Sequence, residues 1–207
     1  PGRLPPRLLD LGLVGPSPRR APGRRKVCKL FRVQDMSISS AIERIATGQI
    51  RIPAFQRGFV WDAERVAYFM DSLYKEYPFG ALLLWRTREK LRTERKLGPF
   101  TLPDVDPAYP IDYVLDGQQR LTSVFAVFQD EFDAEPAEGW LPIYYDFRAE
   151  ESAQEAQFFA LDANEVDPER HFPLSALFVP AAYRAATRDL EEDVALRIDE
   201  MQKRFLQ

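Results

Sequence analysis

The sequence predicts a small mixed α/β domain of the α+β kind, in which a mixed sheet packs with helices and a C-terminal helical segment follows. Three observations carry this expectation. Short apolar runs of strand length alternate irregularly with amphipathic stretches of helical length. Two of the strands pass through a short loop directly into a helix. The chain has 207 residues, 45% of them hydrophobic, enough for one core or for one domain with a helical appendage.

Residues 1–28 are rich in Pro, Gly and Arg, lack periodicity and are expected to be disordered. This stretch reads either as a basic arm that touches nucleic acid or as an upstream extension with the true start near Met36. Ordered structure is expected from about Leu30, with a domain over 30–178. Ser37 to Gly48 reads as a helix: Ile38, Ala41, Ile42 and Ile45 share one face, Ser37 caps the start, and Gly48 ends it. Ile50 to Ile52 is a short strand stopped by Pro53. Asp62 caps a helix over Ala63 to Glu76, with Val66, Phe69, Met70 and Leu73 inward. After Pro78 and Gly80, Ala81 to Arg86 reads as a buried strand.

Arg88 to Pro110 is a polar, proline-bearing connection with room for a hairpin. Ile111 to Leu115 is a strand, and Gly117 to Gln129 is a helix with Leu121, Val124, Phe125 and Phe128 on one face. Asp130 to Gly139 is an acidic loop. Leu141 to Phe147 is a strand in which Ile143, Tyr145 and Phe147 alternate, and Ser152 to Asp162 is expected to be helical. Residues 180–207 read as one charged amphipathic helix with no stop signal, so a truncated or continuing helical extension is expected.

Composition excludes several functions. A single cysteine, Cys28, permits no intrachain disulfide or cysteine-rich zinc site. A single histidine, His171, leaves no H-E-x-x-H protease and no His-Asn-His nuclease within this chain. The longest strongly apolar run, Ala81 to Trp85, is far short of the roughly 20 residues of a membrane span, and Asp10 interrupts the Leu8 to Val14 stretch. A cytoplasmic protein with no membrane partner is expected. Net charge is −4, but residues 1–32 hold nine basic residues and one acid, against 19 basic and 31 acidic in the rest. An acidic body argues against broad phosphate-backbone binding by the folded part.

Two segments carry chemistry. In Ile52-Pro53-Ala54-Phe55-Gln56-Arg57-Gly58-Phe59-Val60-Trp61-Asp62, a strand enters a loop that offers Gln56 and Arg57, and an arginine there can fork onto a phosphate. In Tyr113-Val114-Leu115-Asp116-Gly117-Gln118-Gln119-Arg120-Leu121-Thr122, a strand turns at Gly117 into a helix. Unpaired N–H groups at that helix start favour an anion, and glycine lets a ligand approach closely. Gln118 and Gln119 add neutral donors and Arg120 adds charge. Asp116 can orient a metal-bound water or a ribose hydroxyl; alternatively it only caps the helix. There is no G-x-x-x-x-G-K-[ST] phosphate loop. Both junctions end in Gln-Arg, so their arginines are expected to converge on one polyphosphate.

I-P-A-F-Q-R-G-F-V-W, followed about 55 residues later by V-L-D-G-Q-Q-R-L-T, resembles the paired signature of the N-terminal domain family of GmrSD-type type IV restriction enzymes. The resemblance covers roughly Leu30 to Phe178. It implies a ParB/sulfiredoxin-like core whose D-G-Q-Q-R segment binds and hydrolyses an NTP (GTP, ATP or CTP) with Mg²⁺. By position, it assigns nucleotide binding to Gln56, Arg57, Gly117, Gln118, Gln119 and Arg120, and catalysis to Asp116 and Arg120. In such systems the NTP regulates cleavage of modified foreign DNA by a nuclease module, which this chain would need from further sequence or a partner. The two other readings are a ParB-like, nucleotide-switched DNA-binding module without hydrolysis, and a non-catalytic fragment that assembles with a nuclease or as an oligomer. A sulfiredoxin-like reductase needs a reactive cysteine in the phosphate loop, where this sequence has Gln and Arg. His171 reads as a surface or core-edge residue, Phe158-Phe159 and Tyr144-Tyr145 as core, and Glu191 to Asp193 as a solvated helix face.

Overall fold

Local capping chemistry starts the first two helices. The computed structural model describes residues 32–106, 109–134, 139–150, 152 and 155–206. Helix α1 (Ile38–Ala46) begins where the Ser37 hydroxyl accepts the Ser40 N–H at 3.2 Å. Helix α2 (Ala63–Tyr74) begins where the Asp62 carboxylate accepts the Arg65 N–H at 2.7 Å. Strand β1 (Ile50–Pro53) lies between them, and β2 (Leu83–Thr87) follows α2. The connection that follows holds β3 (Thr93–Glu94), β4 (Lys96–Leu97) and β5 (Phe100–Thr101), the last two forming the small hairpin. Then come β6 (Ile111–Asp116) and α3 (Gln118–Phe128). Strands β7 (Ile143–Asp146), β8 (Phe158–Ala160) and β9 (His171–Pro173) precede a 3₁₀ turn, α4 (Pro180–Thr187) and α5 (Glu192–Leu206).

The strands form a four-stranded mixed sheet in the order β2-β6-β1-β3 and a three-stranded antiparallel sheet in the order β8-β7-β9. Within the first, β1 and β6 run parallel with Arg51 opposite Tyr113, whereas β2 and β3 run antiparallel to their neighbours. This is the mixed α/β architecture expected from the alternation of short apolar runs and amphipathic stretches. Parallel pairing puts the carboxyl ends of β1 and β6 at the same edge of the sheet, which brings the two motif loops together.

Helix α3 serves both cores. Leu121, Phe125 and Ala126 pack with Ala41, Ile45, Ile50, Ile52 and Val114 against the four-stranded sheet. Val127 and Phe128 join Met70, Tyr74, Tyr145, Phe158 and Phe205 under the second sheet. A helix buried on so much of its circumference can start only at a fixed place, which anchors the Gly117 turn. One ionic contact ties the first sheet to α1. Asp112 is buried, accepts two hydrogen bonds from Arg86 at 2.8 Å each, and pairs with Arg44 of α1. Burial opposes ionisation of Asp112, but the hydrogen bonds and charges of Arg86 and Arg44 overcome it, holding the carboxyl below its ordinary value.

Four expectations need correction. Ala81 to Arg86 is not a buried strand: β2 is an edge, and Leu83 and Trp85 are 40% and 42% exposed. Of the helix expected over Ser152 to Asp162, residues 153 and 154 lie outside the described residues, and Phe158 to Ala160 is instead a strand paired with β7; Phe158 is buried opposite Tyr145, while Phe159 points outward. Residues 180–207 hold two helices, separated by a break after Thr187. Nor is α5 an appendage to a domain ending at 178. Val194, Ile198, Met201 and Phe205 are buried in the core of the second sheet, so residues Asp35–Gln207 cluster as one unit. Pro1–Gln34 fall in the other unit, and the tail expected over 1–28 lies outside the described residues.

Candidate functional site

The site lies where the carboxyl ends of β1 and β6 meet. After β1, the chain runs through Ala54 to Trp61 before Asp62 caps α2; after β6, it turns at Gly117 into α3. Gly117 has φ +88°, a left-handed conformation, and no side chain caps the helix it starts. Space also selects glycine: a Cβ there would stand 2.5 Å from Leu82 Cδ2 and 3.2 Å from Arg120 Nη2.

The glutamines of both motifs hold the two loops together. The Gln119 amide pairs with the first loop through both its groups, accepting the Val60 N–H at 2.9 Å and donating to the Gly58 carbonyl at 3.0 Å. Gln56 reciprocates, donating from its amide to the carbonyls of Val114 and, at 3.4 Å, Leu115 at the end of β6. A primary amide suits this task because it offers one donor and one acceptor side by side, as a peptide does. Arg120 is likewise engaged. Its guanidinium donates to the Phe79 carbonyl at 2.7 Å, contacts Asp116 at 3.4 Å, and lies against Gly80, where a Cβ would be 2.8 Å from Nη1.

Three motif side chains remain available. Arg57 is exposed and has no hydrogen-bond or ion-pair partner among the described residues. The Asp116 side chain is 73% exposed. Gln118, the first residue of α3, is only 9% exposed, and among the described residues its amide has no partner. The structure therefore brings all seven motif residues to one edge of the sheet but divides their tasks. Gln56 and Gln119 clasp the loops, Arg120 braces the turn, and Arg57, Asp116 and Gln118 have free groups.

Some neighbours escaped the sequence reading. Gly80 appeared there only as punctuation and Phe79 not at all, yet they supply the open backbone and the carbonyl that seat Arg120. Phe55 (74% exposed), Val60 and Leu115 give this edge an apolar surface. Their signal was an apolar residue inside a polar motif. His171, by contrast, accepts the Asp167 N–H on Nδ1 at 3.0 Å and closes a local turn before β9. Among the described residues no cluster of three or more His, Cys, Asp or Glu side chains is placed to hold a metal, and no described helix is long and apolar enough to cross a membrane.

A parallel strand pair feeding an uncapped helix start defines a mixed α/β domain with a candidate site at one edge of its sheet. Residues 38–202 match the family described as the N-terminal domain of the GmrSD restriction endonuclease, and the chain belongs to that family. The chain is also 29% identical over 100 residues to an uncharacterized protein of Methanocaldococcus jannaschii. That match covers 44% of this chain and 17% of the relative's length, so the chain corresponds to a small part of that protein.

Proposed function

We propose that this edge of the sheet binds the phosphates of an NTP and that the domain thereby regulates a modification-dependent restriction system. One observation carries the reading: the uncapped start of α3, entered through left-handed Gly117, with Gln118 as its first residue and its amide without a partner among the described residues. Unpaired N–H groups and the helix dipole favour an anion there, and the Gln118 amide, not engaged by the described residues, offers a neutral donor beside them. Arg57 supplies free positive charge, and Phe55 and Val60 offer apolar surface for a base. Mg²⁺ prefers one or two carboxylates together with phosphate oxygens, and Asp116 is the exposed carboxylate beside the turn. Such an ion would screen phosphate charge. Asp116 would orient it or an attacking water, and Arg120 would hold Asp116 and the turn in place. Cleavage of DNA would then fall to a nuclease module or partner chain.

Calorimetric titration with GTP, ATP and CTP, each with Mg²⁺, tests this. Saturable binding that Arg57→Ala weakens at least tenfold is expected. Arg120→Ala should also abolish binding, through loss of the braced turn. If no nucleotide binds, or if both variants bind as the parent does, the phosphate site is wrong.

A further inference from the structure

A second site lies on the other flank of β1. A cleft of about 620 Å³ opens between the α1–β1 corner and the 90–105 excursion, within the size range of small-ligand pockets. None of Gln56, Arg57 or residues 116–120 lines it. Its accessible apolar lining is Leu91, Leu102 and Val105, over the buried Ile50, Ile52 and Leu121, and it also carries four cations: Arg51, Lys90, Arg92 and Arg95. Arg51 and Arg95 are anchored to carbonyls, Arg51 to Gly48 at 3.0 Å and Arg95 to Leu102 at 3.1 Å. Lys90 and Arg92 are exposed and have no hydrogen-bond or ion-pair partner among the described residues.

We infer that this cleft binds an aromatic phosphate: a nucleobase-sized ring on the apolar lining, with one phosphate held by Lys90 and Arg92. The balance of charge selects a small anion. Two carboxylates, Glu94 and Asp104, face the four cations, so the wall suits one phosphate better than a polyphosphate. The guanidiniums of Arg51 and Arg95 are pre-positioned by their carbonyl contacts and keep donors to spare. Lys90 and Arg92, unpaired among the described residues, leave the cleft with more positive than negative charge. The same chemistry is offered by a free nucleoside monophosphate and by a nucleotide unit of a single strand.

The inference does not depend on NTP binding at the β1–β6 edge. The full chain is titrated with AMP, GMP, CMP and UMP without metal, with the matching nucleosides, and with a short single-stranded oligonucleotide. Saturable binding of a monophosphate is expected. It should weaken at least tenfold on removal of the phosphate and in a Lys90→Ala/Arg92→Ala variant, with unchanged circular dichroism and melting. Arg57→Ala should bind it as the parent does, and saturating Mg²⁺–NTP should not displace it. Binding of the oligonucleotide alone, with the same sensitivity to the double variant, identifies the strand as the source. No binding in any arm, or equal binding by the double variant, overturns the site. Loss of Mg²⁺–NTP binding with retention of the monophosphate overturns only the reading of the β1–β6 edge.

Discussion

Gly117→Ala separates two costs that usually arrive together. Gly117 and Gly139 share a left-handed backbone, with φ +88° and +83°. Among the described residues, a Cβ at Gly139 meets nothing within 4 Å, whereas at Gly117 it would sit 2.5 Å from Leu82 Cδ2. Gly139→Ala therefore incurs only the left-handed penalty of about 1–2 kcal/mol, partly offset by a less flexible unfolded chain. Gly117→Ala incurs the same penalty and must also displace the end of the Leu82 side chain and crowd the Arg120 guanidinium. Because both crowded atoms are ends of flexible side chains, the crowding adds about 1 kcal/mol, the low end for overpacking, for a total of roughly 2–3 kcal/mol. Urea unfolding of both variants beside the parent measures the difference directly. Because Gly117 opens the turn proposed to bind phosphate, its variant should also lose the proposed Mg²⁺–NTP affinity while Gly139→Ala does not. Equal destabilisation of the two would refute the argument that space, as well as φ, selects glycine at 117.

Gln119→Ala removes both hydrogen bonds between α3 and the first loop, at about 1–2 kcal/mol, and hydrogen exchange at Val60 should accelerate if the clasp is real. Asp112 is held below its ordinary value of 3.8 in the folded state, so its carboxylate contributes stability above about pH 4 that is lost as pH falls through the folded value. Asp112→Asn should cost about 2–3 kcal/mol at pH 7, and the cost should shrink steadily as pH falls below about 4; a cost that does not change with pH would refute the ionic role. Phe205→Ala should cost about 3–4 kcal/mol by thermal unfolding, because the ring packs on Tyr74, Phe128 and Phe158. A cost below about 1 kcal/mol would mean that α5 is not integral to the core.

Where the signal was local, sequence and structure agree. Ser37 and Asp62 bind N–H groups within three residues of themselves, so their helices begin where the capping pattern puts them. The Gly117 turn was legible for the same reason. Ser152 to Asp162 misled because the residues that make β8 a strand are remote: Phe158 takes its place from Tyr145, and the Gln157 N–H is received by Asp71 of α2 at 3.0 Å. Leu83 to Trp85 looked like a buried strand because apolar residues run continuously there. Only the strand order shows that β2 has a neighbour on one side alone.

The sequence by itself determined the paired motifs, the family they belong to, the capped helices and the mixed α/β class. All of these depend on residues close in the chain or on recognisable residue order. The tertiary structure decided which motif side chains have free groups. Gln56 finds its partners at Val114 and Leu115, Gln119 at Gly58 and Val60, and Arg120 at Phe79. Those partners lie 41 to 61 residues away: the glutamines meet theirs because β1 and β6 pair in parallel, which places both motif loops at one edge of the sheet, and Arg120 meets Phe79 because β2 pairs antiparallel with β6, with Leu83 opposite Asp116.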